Sequence, residues 1–248
     1  MKKRLILSSL FTMVGMVLFA QVAMAYTVTT TGGYGLYQTG QGGEFSLTPN
    51  SGWNVLNNYD AKAKTYGGTA FQSFCIEGNE YINGNATYNA TLNTAAVNGG
   101  ISGGNQDPIS IGTAKLYYEF AKGILPGFSY GTGSLSVAET AARKLSADLL
   151  QQAIWWLEGE NSNLTDVTTS NMFQNYLLTT YSAANAKADN PIAQSNLYRG
   201  VMALNLTDSN GGLVQDPLVV VPIPGAIWLL GTGLVGLVGA RRRRSERA

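Results

Sequence analysis

The chain has 248 residues, 45% of them hydrophobic and 12% charged, with one cysteine and no histidine. The missing histidine excludes Ser-His-Asp and Cys-His catalysis, histidine metal sites and an imidazole proton shuttle, and a single cysteine excludes a Cys-rich zinc site. The formal net charge of +1 hides an asymmetry: eight of the 16 basic residues but only Glu246 of the 15 acidic ones lie in the two tails, leaving eight basic against 14 acidic residues between them, a net of −6. That balance argues against nucleic acid as a partner, because phosphate binding needs clustered Lys and Arg, and it suits an extracellular surface.

At the N-terminus Lys2-Lys3-Arg4 precedes an apolar run from Leu5 to Ala20 and then Ala23-Met24-Ala25. A basic start, an apolar stretch and an A-x-A site predict a secretory signal peptide over residues 1–25, cleaved after Ala25. Residues 26–218 are then long enough for one extracellular domain with its own core. Its first part is rich in Gly, Thr, Asn and Tyr, and Tyr26 to Thr29, Glu44 to Leu47 and Ala70 to Ile76 read as strands between turns. Gly42-Gly43-Glu44-Phe45 spells the signature of nucleotide cyclases, whose chemistry is cytoplasmic; after a signal peptide it reads as a glycine turn entering a strand. Four Asn-x-Thr sequons, at Asn85, Asn89, Asn163 and Asn205, carry no weight in a chain so rich in both residues.

Asn98 to Pro108 reads as a loop, with Asp107-Pro108 as a helix start and a helix from Ile111 to Lys122. The strongest helix runs from Val137 to Glu158, opened by a Ser136/Glu139 capping box and closed by Gly159. Helical spacing puts Ala138, Ala141, Leu145, Leu149 and Trp156 on one face, with Gln152 within it and Gln151 off its edge. A further helix is expected from about Asn171 to Ala188, then closing strands over 200–206 and 212–221 around an Asn210-Gly211 turn. Strands, helices, then strands predict an α+β fold: a β-sandwich or barrel-like core with an inserted helical subdomain. Residues 219–248 form a tail. Gly225 to Ala240 is apolar or glycine, about 24 Å long as a helix against a hydrocarbon core of roughly 30 Å, and Arg241-Arg242-Arg243-Arg244 follow as a basic stop. This predicts a C-terminal transmembrane segment with the arginines left in the cytoplasm.

Two resemblances follow from these residues. Val221-Pro222-Ile223-Pro224-Gly225, the apolar run and the arginine block resemble a PEP-CTERM sorting tail, with Ile223 where the family usually has Glu. The resemblance implies an exosortase-type enzyme as partner, a Gram-negative, exopolysaccharide-making host, transient residence in the inner membrane, and release to the cell surface or extracellular matrix. Phe74-Cys75-Ile76-Glu77 and Leu150-Gln151-Gln152-Ala153-Ile154-Trp155 resemble the paired motifs of thioester (TQXA-type) domains of bacterial adhesins. That resemblance implies a bond between Cys75 and Gln151, with Gln152 as the alternative that periodicity favours. Cys75 would attack the glutamine carbonyl and expel ammonia, with Phe74, Trp155 and Trp156 as apolar walls against water. A partner amine would then open the thioester and stay attached. Each molecule reacts once, so the implied role is adhesion rather than enzymatic turnover, with no cofactor.

The alternative is a non-catalytic structural or polysaccharide-binding matrix protein in which Cys75 is an inert buried thiol and the 13 Tyr and 4 Trp supply sugar contacts. A glycoside hydrolase would need a carboxylate pair, for which Glu77 with Glu80 or Glu158 with Glu160 are candidates without distinguishing context.

Overall fold

The computed structural model describes residues 26–39, 42–50, 52–97, 106–131, 134–160, 171–188 and 200–221. The expected signal peptide, the expected sorting motif from Pro222 to Gly225, the apolar run over 225–240 and Arg241 to Arg244 lie outside them. No helix among the described residues is long and apolar enough to cross a membrane.

The chain is α+β, built on an antiparallel sheet that curls into a half-barrel. Its strands are β1 (Tyr26–Thr30), β2 (Phe45–Pro49), β3 (Lys64–Thr65), β4 (Ala70–Ser73), β5 (Thr87–Asn93), β8 (Val201–Thr207) and β9 (Leu218–Val220), in the order β3-β4-β2-β1-β5-β8-β9. A separate pair, β6 (Ala95–Ala96) with β7 (Asp107–Pro108), follows β5. Alternation sets the faces: in β5, Tyr88 and Ala90 are buried between exposed Thr87, Asn89 and Thr91. Curling brings the last strand back towards β4. The Leu218 amide donates to Phe74 O at 3.0 Å, the Ile76 amide donates to Asp216 O at 3.0 Å, and Cys75 sits opposite Pro217. Residues 74–76 and 216–218 therefore form a seam that joins the two ends of the sheet.

Among the described residues four α-helices fall between β7 and β8 in the chain: α1 (Ile111–Ala121), α2 (Val137–Leu157), α3 (Met172–Leu178) and α4 (Ala183–Ala186). Helix α1 is capped by Ser110, whose hydroxyl accepts from the Thr113 amide, and it buries Leu116, Tyr117 and Phe120. Phe120 meets Phe74 edge-on at 5.0 Å and Phe128 at 4.9 Å, tying the helix to the seam and to the loop beyond it. The Tyr59 and Tyr117 hydroxyls lie 2.8 Å apart, and Tyr59 Oη also accepts from the Val220 amide at 2.9 Å.

Several expectations need correction. Asp107-Pro108 does not start a helix; it pairs with Ala95–Ala96, and the helix begins after Ser110. The segment expected as one helix from Asn171 to Ala188 is two short ones, broken where the chain turns at Thr179 to Tyr181 and restarted by a Ser182 cap. The inward face of α2 differs from the one its apolar spacing predicts: of the five residues only Trp156 is buried, while Ala138 and Ala141 are exposed, Leu145 is 62% exposed and Leu149 is half-buried. The buried stripe instead carries Arg143, Ser146, Ala147, Leu150, Gln151, Ile154 and Leu157. Its polar members have partners elsewhere in the fold, so a hydrophobicity count assigned them to solvent. The sequon at Asn205 is structural: its amide donates to Ala95 O at 3.1 Å and to Asp216 Oδ2 at 2.8 Å.

Candidate functional site

Helix α2 projects Gln151 onto the seam. Gln151 Oε1 accepts from the Cys75 amide at 2.9 Å and from the Gly43 amide at 3.0 Å, while Gln151 Nε2 donates to Cys75 O at 2.8 Å. The side chain is only 1% exposed, and three hydrogen bonds satisfy it. Two converging N–H donors on one carbonyl oxygen, one of them from Cys75 itself, form the kind of arrangement that stabilises an oxyanion if that carbonyl is attacked. Gln152 is half-buried and donates to Asp148 Oδ2 at 2.8 Å, one turn back on the same helix. Of the two glutamines, only Gln151 is hydrogen-bonded to Cys75.

Cys75 is a free, buried thiol. Burial, and then the negative charges of Glu77 and Glu80, push its pKa well above the usual thiol value. It lines a cavity of about 670 Å³ together with Gly42, Tyr34, Tyr81, Trp155 and Glu160. Of the expected apolar walls, Trp155 borders this cavity, Phe74 packs in the aromatic core, and Trp156 is buried with the Lys187 ammonium 4.4 Å from its ring.

A clamp holds the loop that supplies the Gly43 amide. Glu44 is fully buried and takes a bidentate contact from Arg143, Nε to Oε2 at 2.8 Å and Nη2 to Oε1 at 2.6 Å. Arg143 also donates to Tyr130 O and Lys62 O at 2.8 and 2.9 Å and lies 4.0 Å over the Tyr37 ring. Burial raises the Glu44 pKa against the lowering effect of the guanidinium. A Cβ on Gly42 would sit 2.4 Å from Gln151 Cγ, so glycine is what lets the loop close on the glutamine. The Gly-Gly-Glu-Phe stretch is thus a turn into β2, as expected, with Glu44 as its internal anchor. Glu44 and Arg143 escaped sequence reasoning; the one available signal was a charged residue opening an apolar strand and another within a long helix.

Below Cys75 the carboxylates of Glu77, Glu80 and Asp216 gather, with an oxygen of each within 4.8 Å of the others. Glu77 is pushed up to about 10 by burial first and by Glu80 next, and Asp216 to about 6 by burial. Glu160 reaches the same region and accepts from the Gly78 amide at 2.9 Å. Glu158 lies apart: its Oε1 accepts from Ser110 Oγ at 2.8 Å and from the Ser110 amide at 3.2 Å, and burial raises its pKa to about 8. Of the sorting motif only Val221 is described, and its amide donates to Gly200 O at 2.8 Å just past β9. No family model, curated protein or solved structure matches this chain.

Proposed function

We propose that this is an exported, exosortase-sorted surface or matrix protein acting as a covalent adhesin, in which Cys75 and Gln151 form an internal thioester that partner amines open. The observation that carries the reading is the hold on Gln151 Oε1 by the Cys75 and Gly43 amides. In thioester formation, Cys75 Sγ bonds to Gln151 Cδ, the Cδ–Nε2 bond breaks, and Nε2 leaves as ammonia with the thiol proton. Both N–H groups stay on the carbonyl oxygen as negative charge builds there. In the reverse sense, a primary amine attacks the same carbon, the C–S bond breaks, and the amine becomes an amide while Cys75 recovers its proton. The same two donors serve both steps. The cavity beside Cys75 is the route for the amine, and the burial of Cys75 and Gln151 protects the bond from water. The tail that resembles a PEP-CTERM signal supplies the export and surface display.

Intact mass tests this directly. The purified protein should lack one ammonia, resist alkylation at Cys75, and gain the mass of methylamine when treated with it. A full-mass protein whose native Cys75 alkylates freely would sink the reading.

A second reading has its own support. Tyr34 and Tyr81, 44% and 81% exposed, stand at the cavity with Trp155, a layout suited to stacking on sugar rings in a matrix protein with an inert thiol. Binding of exopolysaccharide that is lost in Tyr81→Ala, with no mass deficit, would favour it.

A further inference from the structure

The acidic group under the seam is not used by the thioester reading and has a feature of its own. Glu77 is fully buried, and neither of its carboxylate oxygens has a hydrogen-bond partner. Every charge acting on it is negative, from Glu80, Asp216 and Glu160. A buried carboxylate in that position is costly unless something positive joins it.

We propose that Glu77, Glu80 and Asp216 bind a calcium ion that fastens the seam of the half-barrel. Three observations define the site. The carboxylate oxygens lie within 4.8 Å of one another, the span of a coordination sphere with Ca–O distances of about 2.3–2.6 Å. Glu77 offers that space an oxygen of a carboxylate in which neither oxygen accepts a hydrogen bond. Asp216 is held in advance, its Oδ2 accepting from the Val97 amide at 2.7 Å and from Asn205 Nδ2 at 2.8 Å, and its Oδ1 from the Leu206 amide at 3.2 Å. Such outer hydrogen bonds orient a ligating carboxylate and leave Oδ1 a lone pair for the ion. An oxygen-only donor set, with no histidine in the chain, selects a hard cation over a transition metal. Calcium tolerates irregular coordination completed by water, and the neighbouring cavity, which Glu80 lines, supplies the water. Glu77 follows the 74–76 segment and Asp216 precedes β9, so the ion would cross-link the two sides of the seam that otherwise rests on backbone hydrogen bonds.

The experiment uses the purified full chain, stripped with chelator and titrated with calcium chloride at pH 7.5 by calorimetry and thermal melting. One calcium per chain should bind, and at a hundredfold excess over Kd the Tm should rise by about 5–10 °C. Glu77→Gln should abolish the binding heat and the Tm rise, yet melt above the parent protein in calcium-free buffer, because it takes one acid out of the buried cluster. If that variant does not fold, Glu80→Gln, at a half-buried position, should weaken calcium binding about tenfold or more. No heat and no Tm shift at millimolar calcium would overturn the proposal, leaving a protonated carboxyl group as the way the cluster is tolerated. Calcium binding unchanged in Glu77→Gln would equally overturn it by moving the ion elsewhere. The readout involves no thioester chemistry, so its failure and that of the Cys75–Gln151 bond are told apart.

Discussion

Replacing Gln151 by Glu tests the geometry at the seam with a signature that simple loss of packing does not give. One carboxylate oxygen of Glu would keep both amide donors, from Gly43 and Cys75. The other would take the place of Nε2 and face Cys75 O at the distance now spanned by a 2.8 Å hydrogen bond. Two acceptors cannot share that contact, whereas a protonated carboxyl restores it. The buried variant side chain is therefore driven to stay protonated. Holding a proton at pH 7 on a group with an ordinary pKa of about 4.3 costs about 3.7 kcal/mol, which caps the destabilisation. The folded-state pKa is raised, so the variant should match the parent below about pH 4. It should then lose up to about 1.4 kcal/mol per pH unit as pH rises towards the raised pKa. Gln151→Ala should cost a similar amount, about 3 kcal/mol or more, since three backbone groups lose their partner and a cavity opens, but without this pH slope. Urea denaturation from pH 4 to 8 reads both, in a Cys75→Ser background so that no crosslink contributes. A Gln151→Glu variant that is flat with pH, or as stable as its parent at pH 7, would refute the placement of Nε2 on Cys75 O.

Arg143→Ala should destabilise by about 3–5 kcal/mol, because it leaves Glu44 charged and buried; the loss should shrink at acid pH as Glu44 protonates, and denaturation at pH 4.5 and 7.5 measures the difference. Gly42→Ala forces a Cβ into Gln151 and should cost about 1–3 kcal/mol by urea denaturation while lowering the fraction of chains that lack ammonia in intact mass. Glu158 has a folded pKa of about 8 against an ordinary 4.5, so its contribution to stability is complete below pH 4.5 and is lost as pH rises towards 8. Glu158→Gln, which keeps an oxygen for Ser110, should flatten the fall of Tm across that window.

Much of the fold was legible where one physical signal dominated. The β1, β2 and β4 segments followed from short runs between glycine and asparagine turns, and α2 from its capping box, which forms as written, the Glu139 amide donating to Ser136 Oγ and the Ser136 amide to Glu139 Oε2. What failed was the phase of α2. Its buried stripe holds Arg143, Ser146 and Gln151, and their partners, Glu44, the Ser129 amide and the Cys75 backbone, come from segments up to 99 residues away. No local period encodes such pairings, so counting apolar residues turned the helix towards Leu145. Gln151 was reached only through its motif. Asp216 lay in a segment read as strand, and its place beside Glu77 depends on closure of the sheet.

The seam also explains why this glutamine and this cysteine meet. Residues 74–76 follow β4 and form a single antiparallel bridge, in which Phe74 O and Ile76 N point to Leu218 and Asp216. In an extended chain the next backbone pair points the other way, so Cys75 N–H and C=O face an edge with no strand beside it. The Gln151 side-chain amide fills that edge, accepting from Cys75 N and donating to Cys75 O as a neighbouring peptide group would. Structural need alone therefore accounts for an amide at position 151. It also limits what the fold would lose in a thioester. Replacing Nε2 by sulfur would leave Cys75 O without that donor, a loss of about 1–3 kcal/mol, while the carbonyl oxygen could keep both of its donors. Phe74, Cys75 and Ile76 are all buried in the core, Cys75 also lines the cavity, and Glu77, the next residue, joins the acidic cluster. One tetrapeptide thus holds the Gln151 amide with the backbone of Cys75 and gives the Glu77 carboxylate to the acidic cluster, and the closure that creates the first also creates the second.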